Sequence, residues 1–132
     1  MSSWIGIDFG TSNSAVARID GAAAPQLWPF PSARGPRPTF PSVLYFESRT
    51  PSTAGWTAVE RYLAAEHKGR FIQSLKAYLA DRSFDGTVVG TSYHSLERLI
   101  ALIGKHIGDH VGAQGAWPAP RRAVFGRPVH FS

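Results

Sequence analysis

The stretch that decides the fold is Ile5 to Ser14, with the sequence Ile-Gly-Ile-Asp-Phe-Gly-Thr-Ser-Asn-Ser. Residues that favour β-strands lead up to Asp8, and the small, polar residues from Phe9 to Asn13 indicate a tight turn. A second strand is predicted from Ser14 to Ile19, and the Asp-Gly pair after it is a common hairpin turn. The sequence therefore predicts a strand, a turn and a returning strand, with one carboxylate where the turn begins.

This turn suits the phosphate groups of a nucleotide. Gly10 has no Cβ, so a bulky anion can approach the backbone, while the turn amides and the hydroxyls of Thr11 and Ser12 can surround it. The Asp8 carboxylate would repel a bare phosphate, but Mg²⁺ between the two groups removes that repulsion. The pattern predicts a magnesium-nucleotide site that includes Asn13. The alternative is an ordinary β-hairpin with a Gly-Thr-Ser turn.

The spacing of the glycines excludes two common nucleotide motifs. A Walker A loop needs Gly-x4-Gly-Lys-Ser/Thr at the start of a helix. Here Gly6 and Gly10 are four positions apart, and no lysine follows them. The stretch also lacks the Gly-x-Gly-x-x-Gly pattern of dinucleotide-binding folds.

Three segments carry a resemblance to a known family. The run from Gly6 to Ser14 resembles the first phosphate motif of the superfamily of actin, sugar kinases and heat-shock ATPases, and its Asn-Ser ending resembles the seventy-kilodalton heat-shock chaperones. The segment from Arg37 to Phe46, with Pro-Ser-Val-Leu-Tyr-Phe at its end, resembles the part of those chaperones that leaves the first lobe for the second. The Gly-Arg-Pro run from Gly126 to Pro128 is similar to that of a bacterial branch of chaperone-like ATPases.

The resemblance implies a role for individual residues. Asp8 would hold Mg²⁺ through water, and the turn of residues 10–13 would hold the phosphates of ATP or ADP. Lys76 matches a chaperone lysine that reaches the γ-phosphate and the attacking water. A cation there is chemically sensible because phosphoryl transfer requires charge stabilisation. Asp8 and Lys76 would thus be the catalytic residues, and Pro128 would relay the nucleotide state to a peptide-binding domain.

Composition sets the broad class of the protein. The chain has 132 residues, one domain's worth, and its apolar fraction of 43% is compatible with a packed core. The absence of cysteine excludes disulfides and cysteine-ligated zinc. No apolar run reaches the length of a membrane span, and the first residues lack a signal-peptide pattern. We therefore expect a soluble, cytoplasmic protein with no membrane partner.

The charge balance allows a nucleic-acid partner but does not favour one. The formal net charge is +5, from 14 lysines and arginines against nine aspartates and glutamates. The basic residues are scattered, and Arg121-Arg122 is their only adjacent pair. Such a scattered excess is typical of a solvated surface, and it also attracts a nucleotide.

Two helices are predicted from their capping residues. Thr57 and Glu60 have the spacing of a capping box, which predicts a helix from Thr57 to about His67 or Lys68. Ser95 is a suitable N-cap for a longer helix from about Leu96 to Val111. The apolar stripe of that helix, with spacings of three and four, consists of Leu96, Leu99, Ile100, Ile103, Ile107 and Val111.

Further strands are predicted on both sides of these helices. Gln26 to Phe30 is a short edge strand limited by prolines, and Pro41 to Phe46 is the next one. Thr87 to Val89 forms a short strand after an Asp-Gly turn. Arg122 to Phe131 is the last strand, and the resemblance implies that it lies parallel to the first.

One histidine pair has a spacing that could bind a metal ion. His106 and His110 are four positions apart on the longer helix, which is one turn. The pair lacks the glutamate of a His-Glu-x-x-His motif and an obvious third ligand, so the sequence does not favour metal binding there.

The expected architecture is α/β, of the ribonuclease-H-like type found in actin-like ATPases, with a mixed sheet that begins antiparallel. Residues 1–38 and 92–132 would form a first lobe, and residues 39–91 a smaller inserted lobe. If the last strand pairs with the first, its outer edge at Ala123 to Phe125 stays open, which is a liability for a native protein. We therefore expect the remainder of the nucleotide-binding domain to be absent from this chain. The alternative is a short natural protein whose open edge a partner chain covers.

The functional expectation is the N-terminal part of the ATP-binding domain of a heat-shock-type chaperone. In the full-length protein it would couple ATP hydrolysis to the binding of client polypeptides, and clients and co-chaperones would bind through the absent domains. This chain alone would have little or no turnover. The alternatives are a sugar kinase of the same superfamily, or a basic module that binds nucleic acid or protein without catalysis.

Overall fold

The computed structural model describes residues 3–48, 51–113 and 122–126. Within them the chain is a mixed α/β structure whose main sheet contains both antiparallel and parallel strands. The elements are β1 (Ser3–Phe9), β2 (Asn13–Asp20), β3 (Gln26–Leu27), β4 (Phe40–Pro41), β5 (Leu44–Phe46), β6 (Thr53–Ala54), α1 (Gly55–Ala64), β7 (Arg70–Ile72), a 3₁₀ helix (Leu75–Ala80), β8 (Gly86–Val89), β9 (Ser92–Ser95), α2 (Leu96–Ala113) and β10 (Arg122–Gly126).

The main sheet is built around the hairpin of β1 and β2. Its strand order is β10-β1-β2-β3, and β4 also pairs with β2. β1 and β2 are antiparallel over their length, so the predicted hairpin is confirmed. β10 lies parallel to β1, with Ile5 beside Ala123 and Ile7 beside Phe125, which confirms the expected direction of the last strand. Parallel neighbours need a long crossover, and residues 10–121 supply it.

The predicted strand from Pro41 to Phe46 is instead two short strands in different sheets. β4 belongs to the main sheet and ends at Pro41. β5 begins at Leu44 and belongs to a second sheet, whose strand order is β6-β5-β7. The Val43 amide donates to the Pro41 carbonyl at 2.8 Å, a tight turn that interrupts the extended backbone. The chain therefore changes sheets within three residues.

The capping box predicted at Thr57 is wrong. Helix α1 begins at Gly55, and Ala54 precedes it without a side-chain cap. The Glu60 carboxylate instead accepts a hydrogen bond from the amide of Ala33 at 2.8 Å, a contact between distant parts of the chain. The helix ends at Ala64, earlier than expected, and the backbone soon afterwards adopts left-handed conformations.

Helix α2 agrees with its prediction. The Ser95 side-chain oxygen accepts a hydrogen bond from the Arg98 amide at 3.2 Å, as an N-cap does. Five of the six stripe residues are buried, and Ile100 is partly buried. No helix among the described residues has both the length and the apolar character to cross a membrane.

One apolar core joins the elements. It includes Ile5 and Val16 of the main sheet, Leu44 of the second sheet, and Leu99 and Ile103 of α2. These residues come from both of the lobes that the sequence predicts. The division of the chain into two lobes stays a prediction.

Candidate functional site

The turn between β1 and β2 requires glycine for a steric reason. A Cβ at Gly10 would lie 2.0 Å from the carbonyl oxygen of Asn13, which is backbone and cannot rotate away. The side chains of Thr11, Ser12 and Asn13 are exposed, so both hydroxyls face solvent at the tip of the hairpin. A compact turn with exposed hydroxyls is the local geometry expected from the sequence.

The backbone of this turn has free donors. The amides of Thr11 and Ser12 donate to no acceptor in the part of the chain that the structure describes. Backbone donors without a protein partner must bond to water or to a ligand. Adjacent free amides are the feature that anion-binding turns share.

A buried serine pair, which no sequence motif marks, holds the turn between β1 and β2 in place. The Ser42 amide donates to the Ser12 carbonyl at 3.0 Å, and the Ser42 and Ser14 hydroxyls are hydrogen-bonded at 2.8 Å. Both serines are about 1% exposed. The signal that could have found them is a hydroxyl residue inside each of two apolar strand segments, because buried hydroxyls need partners.

Lys76 is brought to the same turn from a distant part of the sequence. It lies in the 3₁₀ helix, which follows Ser74 in a left-handed conformation with φ of 60°. The Lys76 ammonium donates to the carbonyl oxygen of Phe9 at 2.5 Å, across 67 positions of the chain. A lysine has three donors, so this contact fixes the cation beside Gly10 and leaves two N–H groups for another acceptor.

Asp8 is exposed near the end of β1, between Ala15 of β2 and Gly126 of β10. Strand alternation directs its side chain to the face opposite Ile7 and Phe9. Among the described residues the Asp8 carboxylate forms no hydrogen bond or ion pair, with Lys76 or with any other group. Its oxygens are therefore available to a hydrated cation. Pro128 lies outside the described residues.

The described residues contain no cluster of three or more metal-ligating side chains. A magnesium ion bound to a nucleotide does not need one, because it keeps several waters and takes one or two carboxylates plus phosphate oxygens. The free Asp8 carboxylate, two positions before Gly10 in the sequence, is consistent with that mode of binding.

His106 and His110 have other partners. The Nε2 atom of His106 lies 3.3 Å from the Ser52 hydroxyl oxygen. Burial lowers the pKa of His106, and the charge of Asp109 opposes that shift, so the neutral imidazole is favoured near pH 7. The His110 ring packs edge-on against Phe40, with the ring centres 5.7 Å apart.

An apolar cavity of about 490 Å³ lies between the main sheet and α2. Its walls include Ile7, Phe9, Ile100, Ile107 and Phe125, and Lys76 lies at its margin. Asp8, Thr11 and Ser12 do not line it. The cavity therefore meets the turn at Phe9 and Lys76, whereas the exposed polar side chains of the turn are not part of its lining.

No protein-family model matches this chain. The resemblance to the heat-shock chaperones rests on three segments, which are Gly6 to Ser14, Arg37 to Phe46 and Gly126 to Pro128.

The turn geometry makes a direct prediction for Gly10→Ala. The added methyl group would meet the Asn13 carbonyl, so the turn must open, at a cost of about 1–3 kcal/mol in the free energy of unfolding. The amide resonances of Thr11 and Ser12 should shift strongly in a ¹⁵N–¹H NMR spectrum. Gly6→Ala is the matched control, because a Cβ there has no atom within 4 Å. If Gly10→Ala were as stable as the natural protein and its turn resonances were unchanged, the predicted clash with the Asn13 carbonyl would be contradicted.

Proposed function

We propose that the chain is the N-terminal part of an ATP-binding domain of the heat-shock chaperone type, and that residues 8–13 with Lys76 bind the phosphates of Mg-ATP. The observation that carries the proposal is the contact between the Lys76 ammonium and the Phe9 carbonyl. Two segments that the sequence linked to phosphate binding, 67 positions apart, meet at one turn.

The chemistry of the turn supports phosphate as its ligand. The amides of Thr11 and Ser12 and the two hydroxyls offer donors, and Lys76 adds a positive charge with two free N–H groups. Donors bonded to an ionised acceptor form hydrogen bonds about twice as strong as neutral ones. A polyphosphate can accept hydrogen bonds from all of these donors and can also balance the positive charge of Lys76. Water can accept the hydrogen bonds but cannot balance the charge.

The exposed carboxylate of Asp8 favours a metal-bound nucleotide over a free one. Mg²⁺, when bound with ATP, neutralises charge on the phosphates and polarises the phosphoryl group. Asp8 would hold this ion through water, because its carboxylate has no protein partner in the described residues. The two N–H groups of Lys76 not bonded to Phe9 would orient the γ-phosphate and the attacking water.

The sheet supports a ribonuclease-H-like architecture for this domain. Antiparallel β1 and β2 are followed, after the crossover through α2, by β10 parallel to β1. In the longer protein that we propose, further segments would contact the nucleoside and would connect hydrolysis to client polypeptides and co-chaperones. Because such segments would complete the cleft, we expect little or no turnover from the present chain.

The experiment that tests the phosphate site is a calorimetric titration of the chain with ATP. It is carried out once in buffer that contains Mg²⁺ and once in buffer that contains EDTA. We expect weak binding that requires Mg²⁺, and a loss of affinity of about tenfold or more in Asp8→Asn because the variant removes the charge that holds the ion. Lys76→Met should weaken binding by a similar factor.

Asp85→Asn is the matched control, since Asp85 is an exposed carboxylate outside the turn. Mg-ATP binding of equal strength in Asp8→Asn and Asp85→Asn would overturn the assignment of Asp8. Binding that is stronger in EDTA than in Mg²⁺ would contradict the metal-nucleotide interpretation. Robust hydrolysis by the chain, lost in Asp8→Asn, would contradict the expectation of an incomplete cleft.

A further inference from the structure

A second cleft, which shares no lining residue with the phosphate turn, lies between the second sheet, the β8–β9 hairpin and the first turns of α2. Its volume is about 670 Å³, within the range of about 300–1,000 Å³ typical of small-molecule sites. In contrast to the apolar cavity, its walls are rich in polar groups. Those most relevant to binding are Ser52, Arg70, Thr91, Ser92, His94 and Arg98.

The charge of this cleft is positive. Arg70 and Arg98 both line it, and Glu47 is its only acidic residue among the described ones. The Glu47 carboxylate is occupied by Arg61, whose Nε and Nη2 atoms lie 2.8 and 3.2 Å from its two oxygens. This bidentate pair neutralises Glu47, so the two guanidinium groups in the cleft have no carboxylate to balance them among the described residues.

Both arginines are attached to ordered parts of the fold. Arg70 pairs with Phe46 in the second sheet, and its Nη2 atom donates to the Thr87 hydroxyl at 3.1 Å, which ties it to the β8–β9 hairpin. Arg98 lies in the first turn of α2, and its amide is held by the Ser95 cap. The partial positive charge at that helix end adds to the charge of the side chain. The remaining guanidinium donors of Arg70 and those of Arg98 are free to bind a ligand.

His94 contributes one further polar group. Its ring packs against Phe46, with centres 5.3 Å apart, and its Nδ1 atom is buried with no hydrogen-bond partner among the described residues. The tip of the β8–β9 hairpin, with Gly90 at a φ of 62°, brings Gly90 and Thr91 to the lining of the same cleft.

We propose that this cleft binds the phosphate group of a small phosphorylated molecule, at a site separate from the turn of residues 10–13. Two unbalanced guanidinium groups match a dianion, and a phosphate monoester carries nearly two negative charges near pH 7. A guanidinium donates two parallel hydrogen bonds to phosphate oxygens, which gives geometric fit as well as charge. A monocarboxylate would match only one of the two arginines.

The test is an NMR titration of the ¹⁵N-labelled chain with inorganic phosphate, in EDTA and without nucleotide. We expect saturable shifts of the Gly90 and Thr91 amides. Arg70→Gln and Arg98→Gln should each weaken phosphate binding about tenfold, as loss of a charge-assisted pair does. Glycerol phosphate should bind at least as well as inorganic phosphate if the ester is the true ligand, and acetate should give no saturable shift.

Arg82→Gln is the matched control, because Arg82 is exposed and lies outside the cleft. Equal phosphate affinity in Arg98→Gln, Arg70→Gln and Arg82→Gln would overturn the proposal, as would shifts confined to residues 10–13 or an equal response to acetate. The NMR spectrum of each variant shows directly whether it is folded. Asp8→Asn should leave this titration unchanged, so the outcome is independent of the nucleotide proposal.

Discussion

Replacement of Gly55 by alanine is expected to lower the free energy of unfolding by about 2–5 kcal/mol. Gly55 is the first residue of α1 and has a φ of 65°, a left-handed conformation that costs other residues about 1–2 kcal/mol. A Cβ would also lie 2.3 Å from the Phe40 ring. That ring is 1% exposed and packs against Phe30 and His110, so it has no free space to move into.

The measurement is urea denaturation followed by circular dichroism, with Gly104→Ala as the control. Gly104 lies inside α2, and a Cβ there would have no atom within 4 Å. Alanine is favoured over glycine by about 0.5–1 kcal/mol inside a helix, so the control should be slightly more stable than the natural protein. Similar midpoints for both variants would show that Gly55 is not constrained as described.

The second large effect is expected for Leu99→Ala, which should destabilise the fold by about 2–5 kcal/mol. Leu99 is 0% exposed, and it belongs to the core cluster that α2 shares with both sheets. Truncation removes buried methyl groups and leaves a cavity that the surrounding helix and sheets can only partly fill. In a domain whose stability is at the lower end of the typical 5–15 kcal/mol, a loss of about 5 kcal/mol would leave a measurable unfolded fraction.

Leu63→Ala is the matched control for this substitution. Leu63 is also in a helix, but 59% of its surface is exposed, so we expect a change within about 0.5 kcal/mol. Thermal unfolding of both variants in one buffer gives the comparison. If both substitutions lowered the free energy of unfolding by the same amount, Leu99 of α2 would not be buried in the core.

The features that the sequence predicted well are those set by local patterns. Residues close together in the sequence are enough to specify the β1–β2 hairpin. The same is true of the apolar stripe and the N-cap of α2. The parallel direction of β10 was expected from the resemblance alone, and the structure agrees. In each case the local preference and the tertiary contacts favour the same structure.

The features that were missed depend on distant contacts. Glu60 has the spacing of a capping residue, but it binds the amide of Ala33 instead. The sequence predicts one strand from Pro41 to Phe46, yet the segment leaves one sheet for another at Ser42, which is held by Ser12 and Ser14. At the candidate site, the residue types at 8–13 and 76 could be chosen from the sequence. The contact between Lys76 and Phe9, and the supporting role of Ser42, could not, because no spacing rule links residues so far apart.

The parallel pairing of β1 with β10 has a consequence for biosynthesis. Trp4 pairs with Arg122, so one edge of β1 stays unpaired until a segment more than a hundred positions later has been synthesised. At ribosomal rates of about 5–20 residues per second, that delay is on the order of ten seconds. During it one edge of β1 exposes unpaired backbone donors and acceptors, so the nascent chain is most prone to pair with a wrong strand in this interval.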